Sequence, residues 1–142
     1  MAWIEIITLL ALAQLLYFGG LVARARGEYG VKAPATSGHE IFERYYRVQT
    51  NTIETLIVFL PSLWLAAIHW QPVYVALIGS VYLIGRFVYQ WSYVRDPGKR
   101  TLGYNLSVIP TLVLLIIALI AAVLGFGSIA MAASASPRSC SL

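Results

Sequence analysis

The stretch FERYYRVQTNTIETLIVFLPSLWLAAIHW, residues 42–70, opens on charge and closes without it: after Glu54 no Asp, Glu, Lys or Arg appears before Trp70. It is longer than the roughly 20 residues that a helix needs to cross a bilayer core. At 100° per residue, Arg44, Arg47, Asn51 and Glu54 fall within a stripe about 80° wide. A charged side chain in the hydrocarbon costs roughly 2.5 to 3.5 kcal/mol even on the lenient insertion scale, so such a seam turns toward a bundle interior or a wet cavity. Arg44 alone is explained by snorkelling to the headgroups. Arg47, Asn51 and Glu54 together offer complementary donors and acceptors beyond what packing requires, and Glu54 lies deepest.

Three further apolar segments flank this one. They run from Ala2 to Ala23, with Glu5 the single charge, from about Val73 to Tyr93, and from about Leu106 to Leu124. Over the whole 142-residue chain 59% of residues are apolar and 11% charged, against about 25% charged in soluble domains. The fold class that follows is all-α: an integral membrane four-helix bundle of up-down topology, with helices near 2–23, 42–70, 73–93 and 106–124. It forms one domain over 1–127, followed by a flexible Ala/Ser-rich tail, 128–142. The first segment could be read as a signal peptide, but it lacks a basic n-region and three more apolar segments follow. The short link from His69 to Pro72 makes helices two and three an antiparallel hairpin. Pro34 and the Thr36-Ser37-Gly38 cluster mark loop one, and Pro97-Gly98 breaks the chain before helix four.

Nine of the ten basic residues lie in or beside loops one and three. The positive-inside rule then puts those loops in the cytoplasm and both termini across the membrane. The net charge of +4 reflects this topology, together with anionic headgroups or an anionic ligand, rather than nucleic acid. On that topology the sequon Asn105-Leu106-Ser107 faces the cytoplasm and is a coincidence. Short loops and the lack of a retention signal suggest a bacterial inner membrane. The single cysteine, Cys140, permits no internal disulfide and no cysteine metal site, and the ending Cys-Ser-Leu misses the prenylation box. His39, in a polar stretch, and His69, at a helix end, have no helix-spaced partner and read as surface residues, so no metal is expected.

Helix three repeats the seam: Tyr82, Arg86, Tyr89 and Tyr93 follow at spacings of four, three and four and line one face. Trp91 and Tyr93 also suit the aromatic belt of a membrane interface, and Arg95, Lys99 and Arg100 suit positive-inside anchors. Two polar seams and a basic rim nonetheless describe a site for an anionic, zwitterionic molecule beside lipid. Arginine grips carboxylates bidentately, Glu54 would receive an ammonium group, and Arg86 joins Arg47, Asn51, Tyr89 and Tyr93 as a binding candidate. Such a site needs only charge placed where charge develops.

These residues carry a resemblance. Phe42 to Glu54 is similar to the helix-two motif of the MAPEG family, the membrane-associated proteins in eicosanoid and glutathione metabolism: Glu-Arg, then Arg-x-Gln-x-Asn, then Glu three residues on. Gly85-Arg86-Phe87-Val88-Tyr89 with Tyr93 and Arg100 aligns without gaps to the helix-three region of its microsomal glutathione transferase and leukotriene C4 synthase branch. The similarity covers about Leu9 to Ala122. It implies a homotrimer with glutathione bound between adjacent subunits and a lipophilic electrophile or hydroperoxide arriving from the bilayer. It further implies that Arg26, Arg47, Gln49, Asn51, Glu54, Tyr89 and Tyr93 bind glutathione and that Arg100 is catalytic, holding the thiolate. Lowering an ordinary thiol pKa near 8.5 by roughly two units takes about 2.7 kcal/mol. The chain departs from the synthase at loop one, where Arg26-Gly27 stands in place of two consecutive arginines, and the Pro97-Gly98 pair could redirect Arg100.

Three function classes follow. The leading one is a glutathione transferase of membrane detoxification, with peroxidase chemistry on the same thiolate. A non-catalytic lipid-binding member of the family has no need of Arg47, Asn51, Glu54, Tyr93 and Arg100. A small proton-coupled exporter requires an acidic residue near the middle of helix one, where the chain offers only Glu5 near the end.

Overall fold

The computed structural model describes residues 1–135, with side-chain surroundings given through Gly125. Four helices follow in order: α1 (Ala2–Tyr29), α2 (Glu40–His69), α3 (Pro72–Arg95) and α4 (Thr101–Ala135), with a single 3-10 turn, Pro97–Lys99, between the last two. All four are long and apolar enough to cross a membrane. Outward faces carry Leu16, 78% exposed, and Ile57, 69% exposed, as helices solvated by lipid do. The helices outrun the spans expected from hydropathy because apolarity marks the crossing part, not the whole hydrogen-bonded rod. Cys140 and residues 136–142 of the expected tail lie outside the described residues.

Each helix end has a local cause. Gly30 ends α1 in the left-handed region at φ 69°. The N–H of Val31 reaches back to the Arg26 carbonyl at 3.1 Å, the six-to-one bond of a Schellman cap. His39 caps α2, its Nδ1 accepting from the Ile41 N–H at 3.2 Å, and its ring stacks on Tyr29 at 4.2 Å. Glu40 and Glu43 in the first turn of α2 suit the positive end of the helix dipole. Pro72 starts α3, where its missing N–H costs nothing.

The core runs through all four helices. Ile4, Ile7 and Ala11 of α1 meet Phe59 and Leu63 of α2, Val75 and Tyr82 of α3, and Leu114 of α4, so α1 is an integral part of the bundle. Phe59 stacks flat on Tyr82 at 3.8 Å. Two glycines let α3 and α4 approach backbone to backbone. A Cβ on Gly85 would sit 2.6 Å from the Leu106 carbonyl carbon, and one on Gly103 would collide with the Tyr89 backbone. This close crossing sets the first turn of α4 beside the end of α3.

Candidate functional site

At that crossing, a cavity of about 430 Å³ opens between α2, α3 and the start of α4. It falls within the roughly 300–1,000 Å³ usual for ligand sites. α2 contributes Arg47 and Asn51, one turn apart; α3 contributes Tyr89 and Tyr93; the start of α4 contributes Arg100, Thr101 and Tyr104. Two residues of each seam read from the sequence thus line one cavity, and Arg100 joins them, while Tyr82 stands apart, hydrogen-bonded to Thr55 and stacked on Phe59. The Pro97-Gly98 pair does not carry Arg100 away. Asp96 accepts from the Gly98 N–H at 3.0 Å, and the 3-10 turn delivers Arg100 in helical conformation to the mouth of the cavity.

The lining holds two guanidinium groups and no carboxylate, so it favours an anion. Among the described residues, no side-chain hydrogen bond or ion pair occupies Arg47, Arg100, Tyr89, Tyr93 or Tyr104. Their donors remain available to a ligand. Tyr89 and Tyr93 stack at 5.4 Å and form one aromatic wall. Tyr89 also packs in a buried apolar cluster with Phe18 and Val48.

Arg86 lies behind the cavity rather than in its lining. It is fully buried, and Nη1 and Nη2 each donate to Asn51 Oδ1 at 3.0 Å while Nη2 also donates to Thr52 Oγ1 at 3.0 Å. Its guanidinium carbon rests 4.4 Å above the Tyr89 ring. Neutral acceptors and a π face therefore compensate a membrane-buried cation that has no carboxylate partner among the described residues. With its oxygen taken, Asn51 has only its amide N–H donors left for the cavity.

Other candidates stand elsewhere. Glu54 is exposed and lines an adjoining groove of about 300 Å³ with Thr55, Val58, Val108 and Leu112; this groove shares Asn51 and Tyr104 with the first cavity. Gln49 turns toward α1, its Nε2 3.0 Å from where a Cβ on Gly19 would stand. Arg26 turns to loop one, its Nη1 donating to the Ala35 carbonyl at 2.6 Å and its guanidinium carbon lying over the Phe42 ring at 4.8 Å. Arg44 donates to the Val94 carbonyl at 3.0 Å and the Arg95 carbonyl at 3.4 Å and pairs with Glu40, so it caps α3. No cluster of His, Cys, Asp or Glu that could hold a metal occurs among the described residues.

Thr101 and Tyr104 were missed from the sequence because hydropathy started helix four near Leu106 and left this turn in a loop. The signal was present in the spacing of four between Arg100 and Tyr104, which puts both on one helix face.

A family model described as the MAPEG family matches residues 4–120. An uncharacterized protein of Synechocystis sp. is 45% identical over 118 residues, 83% of this chain and 86% of that protein. Microsomal glutathione S-transferase 2 of Homo sapiens is 37% identical over 101 residues, 71% of this chain and 69% of the relative. Leukotriene C4 synthase of Cavia porcellus is 39% identical over 99 residues, 70% of this chain and 66% of that enzyme.

Proposed function

The chain belongs to the MAPEG family, and on that premise we propose that it is a membrane-bound glutathione transferase that conjugates lipophilic electrophiles and also reduces hydroperoxides. The observation that carries this reading is the cavity in which Arg47, Asn51, Tyr89, Tyr93 and Arg100 converge with their donors unspent. Glutathione offers carboxylates to guanidinium groups, an ammonium to Glu54 and a thiol to Arg100. The thiolate is the nucleophile. A guanidinium beside the sulfur favours it.

The apolar groove next to the cavity suits a second substrate that partitions from the bilayer. Arg26 and Gln49 lie away from the cavity of their own protomer. Their part in glutathione binding falls to a site shared with a neighbouring copy, in keeping with a homotrimer. Loops one and three face the cytoplasm in this reading, which suits a water-soluble co-substrate reaching Arg47 and Arg100 from that side, in a bacterial inner membrane.

The test is ultraviolet difference absorbance of detergent-purified protein with glutathione, wild type against Arg100→Ala. A thiolate band that disappears in the variant supports catalysis through Arg100. Glutathione binding by calorimetry without any thiolate band removes that role from Arg100. No binding at all leaves the lipid-binding alternative.

A further inference from the structure

The polar cavity and the apolar groove meet at Asn51 and Tyr104, which line both. A thiolate in one and a lipophilic electrophile in the other react at this junction, so whatever stands there faces the departing atom. Asn51 has its oxygen tied to Arg86, and an amide is no proton donor. Tyr104 differs: the residue is 42% exposed, its ring centroid lies 6.4 Å from that of Tyr89, and its hydroxyl makes no hydrogen bond among the described residues. Its backbone N–H donates to the Arg100 carbonyl at 3.0 Å. Arg100, just ahead of α4, and Tyr104 thus stand about one helical turn apart along the backbone, and both line the cavity.

We propose that Tyr104 is a catalytic residue that gives its phenolic proton to the oxygen leaving the electrophile when the departing atom is oxygen. This rests on the glutathione reading above. With an epoxide, the thiolate sulfur bonds to a ring carbon, the carbon–oxygen bond breaks, and the alkoxide takes the Tyr104 proton. With an alkyl hydroperoxide, the sulfur bonds to the terminal oxygen and the oxygen–oxygen bond breaks. The alkoxide leaves as alcohol with the Tyr104 proton, and glutathione sulfenic acid condenses with a second glutathione to disulfide and water. In both cases the phenolate recovers its proton from water. An alkoxide is far more basic than a phenolate, so the transfer runs downhill; chloride leaves without a proton.

The experiment compares kcat/KM of wild type and Tyr104→Phe, both full chain in detergent, for a lipophilic epoxide, cumene hydroperoxide and chlorodinitrobenzene. General acid catalysis contributes roughly 10²–10⁴-fold. The expected result is a roughly hundredfold fall in the ratio of oxygen-substrate to aryl-chloride turnover, for whichever oxygen substrate the wild type uses. A parallel loss on all three, an unchanged ratio, or a wild type that turns over neither oxygen substrate overturns the role. In wild type alone, turnover of the oxygen substrate is expected to slow in deuterated water relative to that of the aryl chloride, and equal isotope effects count against Tyr104 whether or not the variant folds. Failure of the glutathione reading is separately visible: the wild type then shows no thiolate band.

Discussion

Arg86 of α3 directs both of its terminal nitrogens at one atom, Asn51 Oδ1 of α2, each at 3.0 Å. The pair joins the two seams beneath the cavity and fixes which end of the Asn51 amide faces it. Arg86 therefore backs Asn51 without entering the cavity lining itself. Removing Arg86 leaves the buried Asn51 and Thr52 oxygens without their donors, which costs about 1–3 kcal/mol. Arg86→Met is accordingly expected to lower the melting temperature in detergent, and to lower glutathione affinity by calorimetry roughly ten- to hundredfold, about 1.4 to 2.8 kcal/mol. A destabilised variant that keeps its glutathione affinity would show that Arg86 only holds the bundle.

The close crossing of α3 and α4 makes a second prediction. A Cβ on Gly103 meets the Tyr89 backbone, whereas one on Gly20 meets nothing within 4 Å. Gly103→Ala is expected to push the first turn of α4 off α3 and cost about 1–3 kcal/mol, as overpacking does. It should also weaken glutathione binding, because Arg100 rides on that turn. Gly20→Ala, mid-helix and unhindered, is expected to stabilise by roughly 0.5–1 kcal/mol. Thermal unfolding of both variants in one detergent checks the pair, and equal shifts would contradict the packing account.

The four spans were legible because hydropathy over some 20 residues has one physical meaning in a chain this poor in charge. The seams were legible for the same reason, since Arg47, Asn51, Tyr89 and Tyr93 are costly unless they face inward, and they do converge. Periodicity gives the face of a helix but not the distance a side chain stands from a neighbour. It therefore did not separate Arg86, which backs Asn51, from Tyr89, which lines the cavity. Nor did hydropathy show that Thr101 to Tyr104 is helical, because a turn at the membrane edge need not be apolar. Loop one was least readable: the Arg26 contact with Ala35 depends on a fold-back that no spacing rule encodes.

Arg44 shares the α2 stripe with the site residues, but its bonds run to the last carbonyls of α3 and to Glu40. Those carbonyls have no partner within their own helix. Arg44→Ala is expected to lower stability by about 1.5–3 kcal/mol, the range of a lost charged hydrogen bond, and to leave the glutathione dissociation constant within about twofold. A loss of affinity as large as that of Arg47→Ala, measured by calorimetry side by side, would move Arg44 into the binding site.

The pH dependence of the thiolate isolates Arg100 from the rest of the cavity. A free thiol ionises near 8.5, and under the role proposed for Arg100 a shift of roughly two units would put the bound thiol near 6.5. The charged form is the one Arg100 favours, so its stabilisation is expressed at and above that lowered value and is lost as the pH falls through it. In wild type the thiolate absorbance, and kcat with an aryl chloride, should rise through about pH 6.5 and level off near neutrality. In Arg100→Ala both curves should move up toward about 8.5, with turnover at neutral pH falling by something approaching hundredfold, while the plateau at high pH is largely regained. Recovery at high pH is the diagnostic feature, because hydroxide can replace a lost charge effect on ionisation but cannot restore a misplaced ligand. A profile that keeps its midpoint and loses only amplitude would assign Arg100 to positioning the tripeptide instead.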